Sequence, residues 1–207
     1  MLLDADDSQL VLVDYQARLM PAIFESERVM ANAVRLARMA QLLQVPVWGT
    51  EQMPEKLGLT VSAVAAAIEA AGGKTLAKAH FSAVADGLGE WLRPPVRKPS
   101  VGGNARSLPK HLQKPAPEPE EGRATIVMAG CEAHVCLMQT ALDLLEEEFD
   151  VWVVTDACSS RSERNRDAAF DRLAGNGAEL VTTEMVAFEW LRTAEHPDFK
   201  DVLGLIK

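Results

Sequence analysis

Cysteine is scarce in this chain of 207 residues, which carries only Cys131, Cys136 and Cys158. An odd number of cysteines argues against a disulfide framework within one chain. The opening residues MLLDADDSQLVLVDYQ are acidic and have no basic segment followed by an apolar one, as a secretory signal would. We therefore expect reduced thiols and a cytoplasmic protein.

Basic residues and long apolar runs are also few. Lys and Arg number 21 against 30 Asp and Glu, so the net charge is −9 and the isoelectric point is near 5.0. A nucleic-acid partner requires concentrated cations to replace its counterions, and the composition argues against one. No apolar run approaches the roughly 20 residues of a membrane span, so no membrane association is expected.

Nearly half of all residues are hydrophobic. They are arranged in short apolar runs that alternate with longer stretches of helical periodicity. This alternation is typical of a three-layer α/β/α sandwich with a parallel sheet, here of six strands in a single domain over 1–207. Each run is apolar enough to be buried on both faces. The predicted strands are 9–14, 45–50, 73–78, 124–130, 151–157 and 178–183. The predicted helices are 26–44, 60–71, 83–92, 135–148, 163–175 and 183–193.

One segment breaks the alternation. Residues 93–122 are rich in Pro, Gly and charge and poor in large apolar side chains, which predicts a long loop. The loop is interpreted first as a surface excursion. A lid over the site or an arm that contacts a partner is the alternative.

Polar residues follow several of the predicted strands, where open parallel sheets bind their ligands. Asp14 ends the first run, Lys78 ends the third, and Cys136 lies six residues after the fourth. Taken singly, a carboxylate there is often a helix cap and a lysine is usually solvated. Their joint placement on one edge of the sheet indicates a reactive site.

The apolar spacing from Val135 onward places Cys136 in the first turn of a helix. Free N–H groups and the helix dipole at that position favour a thiolate, so we expect a lowered pKa for Cys136. Cys131 lies beside the core and is expected to be a buried, inert thiol. Cys158 is either packed or near the site, and packing is the simpler interpretation.

Three motifs occur in the order found in one superfamily. VLVDYQ resembles the strand-ending Asp-x-Gln motif, LAKAHFSAV the Lys-x-x-x-Ser-Ala motif, and AGCEAHVCLMQTALDL the nucleophile motif of the isochorismatase-like cysteine hydrolases. Within that superfamily, TEQMPEKLG, DACSSRS and EHPDFKDVLGLIK look most like the isochorismatase-domain-containing hydrolases, whose substrate is generally unassigned. The similarity covers the chain outside 93–122.

The resemblance implies a Rossmann-like fold and a catalytic triad of Asp14, Lys78 and Cys136. It also implies a cis peptide bond between Cys131 and Glu132, and an oxyanion hole formed by the backbone amides of Glu132 and Cys136. The implied reaction is cleavage of a C–N bond in a small amide, or of a related acyl substrate, through a cysteine thioester. Relatives are commonly oligomeric, so a homodimer or homotetramer is expected.

Further residues are candidates for the substrate pocket, because they follow strand ends or adjoin the nucleophile motif. They are Gln16, Thr50, Glu51, Gln52, Phe81 and His134. His134 is less suited as a base, because residues two apart at a helix start point to different sides. His80 either lines the pocket or lies on the surface.

No metal and no cofactor are expected. Nicotinamidases of the superfamily carry a histidine metal motif after the second strand, and the matching stretch GTEQMPEKLG has no histidine. Glu51 alone would bind a transition metal poorly. No GxGxxG or Walker pattern indicates a nucleotide cofactor.

Two alternatives to an amide hydrolase remain open at this stage. The first is an isochorismatase-type ether hydrolase, which would not need the nucleophilic thiol of Cys136. The second is a binding or scaffold module without catalysis, in which the loop over 93–122 would contact a partner. The complete set of Asp14, Lys78 and Cys136 argues against the second, because a module without catalysis has no physical need for all three.

Overall fold

The computed structural model of the chain describes residues 1–93 and 122–207. Six parallel strands form one sheet in the order β3-β2-β1-β4-β5-β6. The strands are β1 (Ser8–Val13), β2 (Val47–Gln52), β3 (Lys74–Lys78), β4 (Thr125–Gly130), β5 (Asp150–Val154) and β6 (Glu179–Val181). The predicted six-stranded parallel sheet is thereby confirmed.

Helices connect the strands and cover the sheet. They are α1 (Ser26–Leu42), α2 (Pro54–Leu57), α3 (Ser62–Ala70), α4 (Leu88–Leu92), α5 (Met138–Glu146), α6 (Glu163–Gly175), α7 (Thr183–Leu191) and α8 (Phe199–Ile206). Helices α3, α7 and α8 pack on α1, whereas α6 packs on α5. Right-handed crossovers place α1 and α3 on one face of the sheet and α5 and α6 on the other, because the chain moves outward from β1 to β3 and, in the opposite direction, from β4 to β6. Helices α7 and α8 join the first face through their packing on α1. Within the described ranges, no helix has the length and hydropathy needed to cross a membrane.

The centre of the sheet is formed by β1 and β4, whose residues are all buried. Gly130 ends β4 close to the last residue of β1. A Cβ atom at Gly130 would lie 2.5 Å from the Val13 carbonyl oxygen and 2.6 Å from the Val13 Cβ. Only glycine therefore lets the carboxyl ends of these two strands approach this closely.

The structure differs from the sequence predictions at β3 and at α8. The run at 73–78 was expected to be buried on both faces, but β3 is an edge strand and most of its residues are exposed. Helix α8 was not predicted, although it packs its apolar face on α1 and α7. The predicted loop over 93–122 lies, apart from its two end residues, outside the described residues.

The strand order reverses between β1 and β4. The chain runs from β1 to β2 and β3 on one side, and from β4 to β5 and β6 on the other. At such a switch point the connections leave the sheet in opposite directions and open a crevice at the carboxyl ends of the two strands. The segments that follow β1 and β4 carry Asp14 and Cys136.

Candidate active site

Asp14 is the first residue after β1 and adopts a left-handed backbone conformation with φ of 55°. Its side chain is fully buried. Thr50 Oγ1 donates a hydrogen bond of 2.7 Å to Asp14 Oδ1, and Lys78 Nζ lies 2.9 Å from Asp14 Oδ2. A carboxylate taken out of water requires such partners, so the ends of β2 and β3 stabilise the anion at the end of β1.

Lys78 is the last residue of β3, and its side chain is also fully buried. Besides Asp14, its ammonium group lies 2.7 Å from Gln52 Oε1, 3.1 Å from the Phe81 carbonyl oxygen and 3.4 Å from the His80 carbonyl oxygen. Four oxygen atoms therefore surround a cation that water does not reach.

Cys136 lies in a π-helical turn, Ala133–Leu137, that precedes α5. This differs from the predicted first turn of an α-helix, since regular α-helical hydrogen bonding begins only at Met138. The residue is 6% exposed, and its Sγ lies 3.9 Å from Gln52 Oε1. Single π turns often occur at functional sites, where they re-aim one side chain.

The expected low pKa of Cys136 is wrong. Burial of the thiol raises its pKa most, the Asp14 carboxylate raises it further, and Lys78 only partly offsets both effects, so that the pKa reaches about 12. The sequence argument considered the helix dipole alone, whereas the structure places a buried carboxylate beside the sulfur. The thiol is therefore protonated at neutral pH.

Segment 158–161, which follows β5, holds the turn that carries Cys136. Ala133 N donates to the Ser159 carbonyl oxygen at 2.8 Å, and Ser159 N donates to the Gly130 carbonyl oxygen at 3.3 Å. The peptide bond between Cys131 and Glu132 is cis. The N–H of Glu132 has no acceptor among the groups of the two described ranges.

The predicted pocket residues fall into two groups. Thr50 and Gln52 are buried and contact Asp14 and Lys78, so they belong to the site. Gln16 instead bonds the Gln52 backbone and the Gly58 carbonyl oxygen, and Glu51 Oε1 accepts hydrogen bonds from Thr60 N and Oγ1. The contacts of these two side chains support loops rather than line a pocket.

Phe81 and His134 take different positions around the site. Phe81 is 53% exposed, although its carbonyl oxygen contacts Lys78. His134 Nδ1 forms a hydrogen bond with Ser160 Oγ and lies 3.2 Å from Glu132 Oε2, and its Nε2 contacts Asn165. Its ring therefore joins the turn to the segment after β5, and within the described residues it does not contact the thiol of Cys136.

The other two cysteines are free thiols buried in the core. Burial and the neighbouring Cys158 raise the pKa of Cys131 well above its ordinary value. Burial likewise raises the pKa of Cys158. The expectation that Cys131 is buried is confirmed, and Cys158 is packed as well. His80 lies on the surface and pairs with Asp86.

Two residues that support the site were not predicted. Thr140 Oγ1 donates to the Cys136 carbonyl oxygen at 2.7 Å and accepts from Ala83 N at 3.0 Å. Thr140 follows Cys136 by four positions, which is a helical spacing that the sequence shows. Asp86 accepts hydrogen bonds from the backbone N–H groups of residues 79 and 80, and so fixes the loop whose carbonyls surround Lys78. Nothing in the sequence distinguishes that aspartate from a solvated one.

In the part of the chain that the structure describes, no group of three or more His, Cys, Asp or Glu side chains is placed to hold a metal ion. GTEQMPEKLG holds two acidic residues, Glu51 and Glu55, and Glu51 Oε1 already accepts hydrogen bonds from Thr60.

Comparison with known proteins finds a matching domain model and a similar protein from mouse. Residues 8–185 match the model of the isochorismatase domain. Isochorismatase domain-containing protein 2A of Mus musculus is 34% identical over 202 residues, which cover 98% of this chain and 84% of that protein.

Solved structures agree with that match. The MAR1 ribonuclease of Caenorhabditis elegans superposes with a TM-score of 0.78 at 29% identity, covering 100% of this chain and 92% of the other. The Escherichia coli YcaC gene product, described as an octameric hydrolase of unknown specificity, has the same fold, with a TM-score of 0.73 at 23% identity over 99% and 95% of the two chains. The resemblance carried by the three motifs is confirmed, and the chain belongs to the isochorismatase family.

Proposed function

We propose that the protein is a metal-independent cysteine hydrolase that cleaves a C–N bond in a small amide or a related acyl substrate. One observation carries this proposal: a buried Asp14–Lys78 ion pair lies against the protonated thiol of Cys136. A carboxylate, a cation and a thiol in one water-excluded site are the components of base-assisted nucleophilic catalysis.

In the first half of the proposed reaction, Asp14 takes the proton of the Cys136 thiol as Sγ attacks the substrate carbonyl carbon. A C–S bond forms, and the carbonyl oxygen becomes an oxyanion. The amides of Glu132 and Cys136 are the proposed donors to that oxyanion. Lys78 offsets the negative charge that is shared between carboxylate and sulfur.

The tetrahedral intermediate then collapses. Its C–N bond breaks, and Asp14 passes the proton to the departing ammonia or amine, which leaves a thioester on Cys136. In the second half, water attacks the thioester carbon while Asp14 accepts a proton from it. The C–S bond breaks, the carboxylic acid is released, and Asp14 returns the proton to the sulfur, so that the site regains its starting state.

The raised pKa of Cys136 supports this sequence of steps. A thiolate formed only during attack is more basic, and hence more nucleophilic, than one that is permanently stabilised. The low exposure of the sulfur supports a small acyl group. Thr50 and Gln52 are proposed to orient Asp14 and Lys78. Of the other predicted pocket residues, Phe81 has the exposed ring that could contact the substrate.

A homo-oligomer and a cytoplasmic location are proposed as well. The YcaC structural neighbour is described as octameric, which extends the expected dimer or tetramer to larger assemblies. The three free cysteines support a reducing compartment.

The MAR1 structural neighbour is called a ribonuclease, but the chemistry of this chain does not favour RNA as its substrate. Binding a phosphate backbone requires accessible cations. The chain has a net charge of −9, and Lys78 at the site is buried and already paired with Asp14.

The proposal is tested by a screen of small amides for ammonia or amine release, in the unchanged protein and in Cys136→Ser. We expect turnover of at least one small amide, and a loss of at least about 10³-fold in Cys136→Ser because the nucleophile is removed. Cys158→Ser is the matched control and should retain turnover. The unchanged protein and Cys136→Ser are also assayed with isochorismate as the substrate. Ether hydrolysis that survives in Cys136→Ser, without any amide turnover, would establish the ether hydrolase alternative.

A further inference from the structure

Glu132 is a buried carboxylate whose side chain the proposed mechanism does not use. It stands at the start of the turn that carries Cys136, and its carbonyl oxygen accepts from Val135 N at 3.0 Å and Leu137 N at 3.4 Å. Its side chain is only 9% exposed. Burying a charge beside the nucleophile is unfavourable unless the charge is paired, so its partners indicate what it does.

Both carboxylate oxygens of Glu132 face a partner. Arg161 Nε lies 2.5 Å from Oε1, and His134 Nδ1 lies 3.2 Å from Oε2. Arg161 and Ser160 belong to segment 158–161, the same segment that bonds the backbone of the turn. The carboxylate therefore joins the beginning of the nucleophile turn to the segment after β5.

His134 has a third contact, through its other ring nitrogen. Asn165 Nδ2 lies 3.3 Å from His134 Nε2. Nδ1 forms its hydrogen bond with Ser160 Oγ at 2.9 Å, whereas Glu132 Oε2 lies 3.2 Å from Nδ1 and has no hydrogen-bond partner among the described residues. Asn165 lies in the first turn of α6, so this helix also supports the arrangement.

Ser160, His134 and Glu132 have the composition of a hydrolase triad, but their geometry excludes that role. In a triad the serine and the carboxylate contact opposite nitrogens of the imidazole, so that a proton can be relayed. Here both contact Nδ1, and Ser160 is fully buried. The group has the geometry of a support and not of a second nucleophilic site.

We infer that Glu132 is a positioning residue for the proposed reaction, and that Arg161 holds it so that the turn presents its backbone amides to the developing oxyanion. This inference rests on the proposed function. It predicts that Glu132 and Arg161, although opposite in charge, act in the same direction. A purely electrostatic effect on Cys136 would instead have opposite signs for the two residues.

The test compares two reactions of the same sulfur in Glu132→Gln, Arg161→Met and the double variant. Iodoacetamide alkylates the sulfur by displacement of iodide and needs no oxyanion donors. p-Nitrophenyl acetate transfers an acetyl group: the C–S bond forms, p-nitrophenolate leaves, and Asp14 takes the thiol proton. Rates at Cys136 are read by peptide mass spectrometry and by p-nitrophenolate release.

We expect each single variant to lower the ratio of acetylation to alkylation by about tenfold or more, because small displacements of reacting groups have effects of this size. The double variant should lose little more than either single variant, since both remove one contact. The matched controls are Asp4→Asn and Arg192→Met, which should leave the ratio unchanged. Asp4 and Arg192 are an acidic and a basic residue whose charged groups lie 4.0 Å apart, near the edge of the sheet opposite the site.

Two results would overturn the inference. The first is a parallel change of both rates, or no change, because a charge effect or a general loosening acts on both reactions of the thiol. The second is alkylation of the buried Cys131 and Cys158 in the variants, which would show that Glu132 maintains the fold as a whole. Failure of the unchanged protein to be acetylated at Cys136 would instead contradict the proposed function, so the two failures are distinguishable.

Discussion

Asp14→Asn should raise the alkylation rate of Cys136 while it lowers amide turnover. The substitution removes the negative charge that raises the thiol pKa, and Lys78 keeps its contacts to Gln52, Phe81 and His80. The pKa of Cys136 therefore falls, and a larger fraction is thiolate near pH 8. Turnover of the substrate falls by about 10²–10⁴-fold, because the side-chain amide of asparagine cannot accept the thiol proton or return it to the departing amine.

The opposite directions of the two effects make this variant informative. Iodoacetamide alkylation is followed by peptide mass spectrometry, and turnover by amine release. Asp171→Asn, an exposed change of the same kind on α6, should alter neither rate. If alkylation and turnover both fall together, Asp14 acts on the thiol in some way other than as a neighbouring base.

Lys78→Met should destabilise the protein by about 3–5 kcal/mol, because it leaves Asp14 as a buried charge without its cation. Methionine fits the space of the lysine stem but cannot offset the carboxylate. The same change removes the charge that lowers the Cys136 pKa, so alkylation of Cys136 should slow. Urea denaturation followed by circular dichroism gives the free energy of unfolding.

The double variant Asp14→Asn with Lys78→Met distinguishes a broken ion pair from a poorly packed side chain. Removing both charges should recover a large part of the lost stability, since no unpaired ion remains. A double variant as unstable as Lys78→Met would show that the loss comes from packing. A single variant within about 1 kcal/mol of the unchanged protein would contradict a tightly coupled buried pair.

The sheet could be predicted because its signal is local. The run QLVLVD is apolar and bounded by polar residues, and it forms β1 within one residue of the predicted ends. The exposure of β3 could not be predicted in the same way. Whether a strand has one neighbour or two is decided by the topology of the whole sheet, and the sequence of the strand does not state it.

The candidate site shows the same division between local and distant information. Asp14, Lys78 and Cys136 could be selected because each follows a strand that ends at one edge of a parallel sheet. The pKa of Cys136 could not, because it depends on Asp14, which is distant in sequence, and on burial. Gln16 was assigned to the pocket for its position after β1, yet its amide is occupied by the backbone of β2 and the loop at Gly58.

The turn that carries Cys136 makes contacts with residues that are distant in the sequence. Glu132 and His134 lie in the motif around Cys136, whereas their partners follow β5 in the chain. Arg161 contacts Glu132, and Asn165 contacts His134. A sequence shows which of these residues are charged or polar. Only the packing of the two segments shows that residues after β5 contact the carboxylate of Glu132 and the imidazole of His134.

Alkylation of the three cysteines as a function of pH tests the central claim most directly, since it needs no substrate. Iodoacetamide is added between pH 6 and 10, and each cysteine is quantified by peptide mass spectrometry. We predict that Cys136 reacts far faster than Cys131 and Cys158, and that its rate rises about tenfold per pH unit without levelling off, as a thiol with a pKa of about 12 requires. A Cys136 that reacts no faster than the two buried cysteines at any pH would contradict its assignment as the nucleophile.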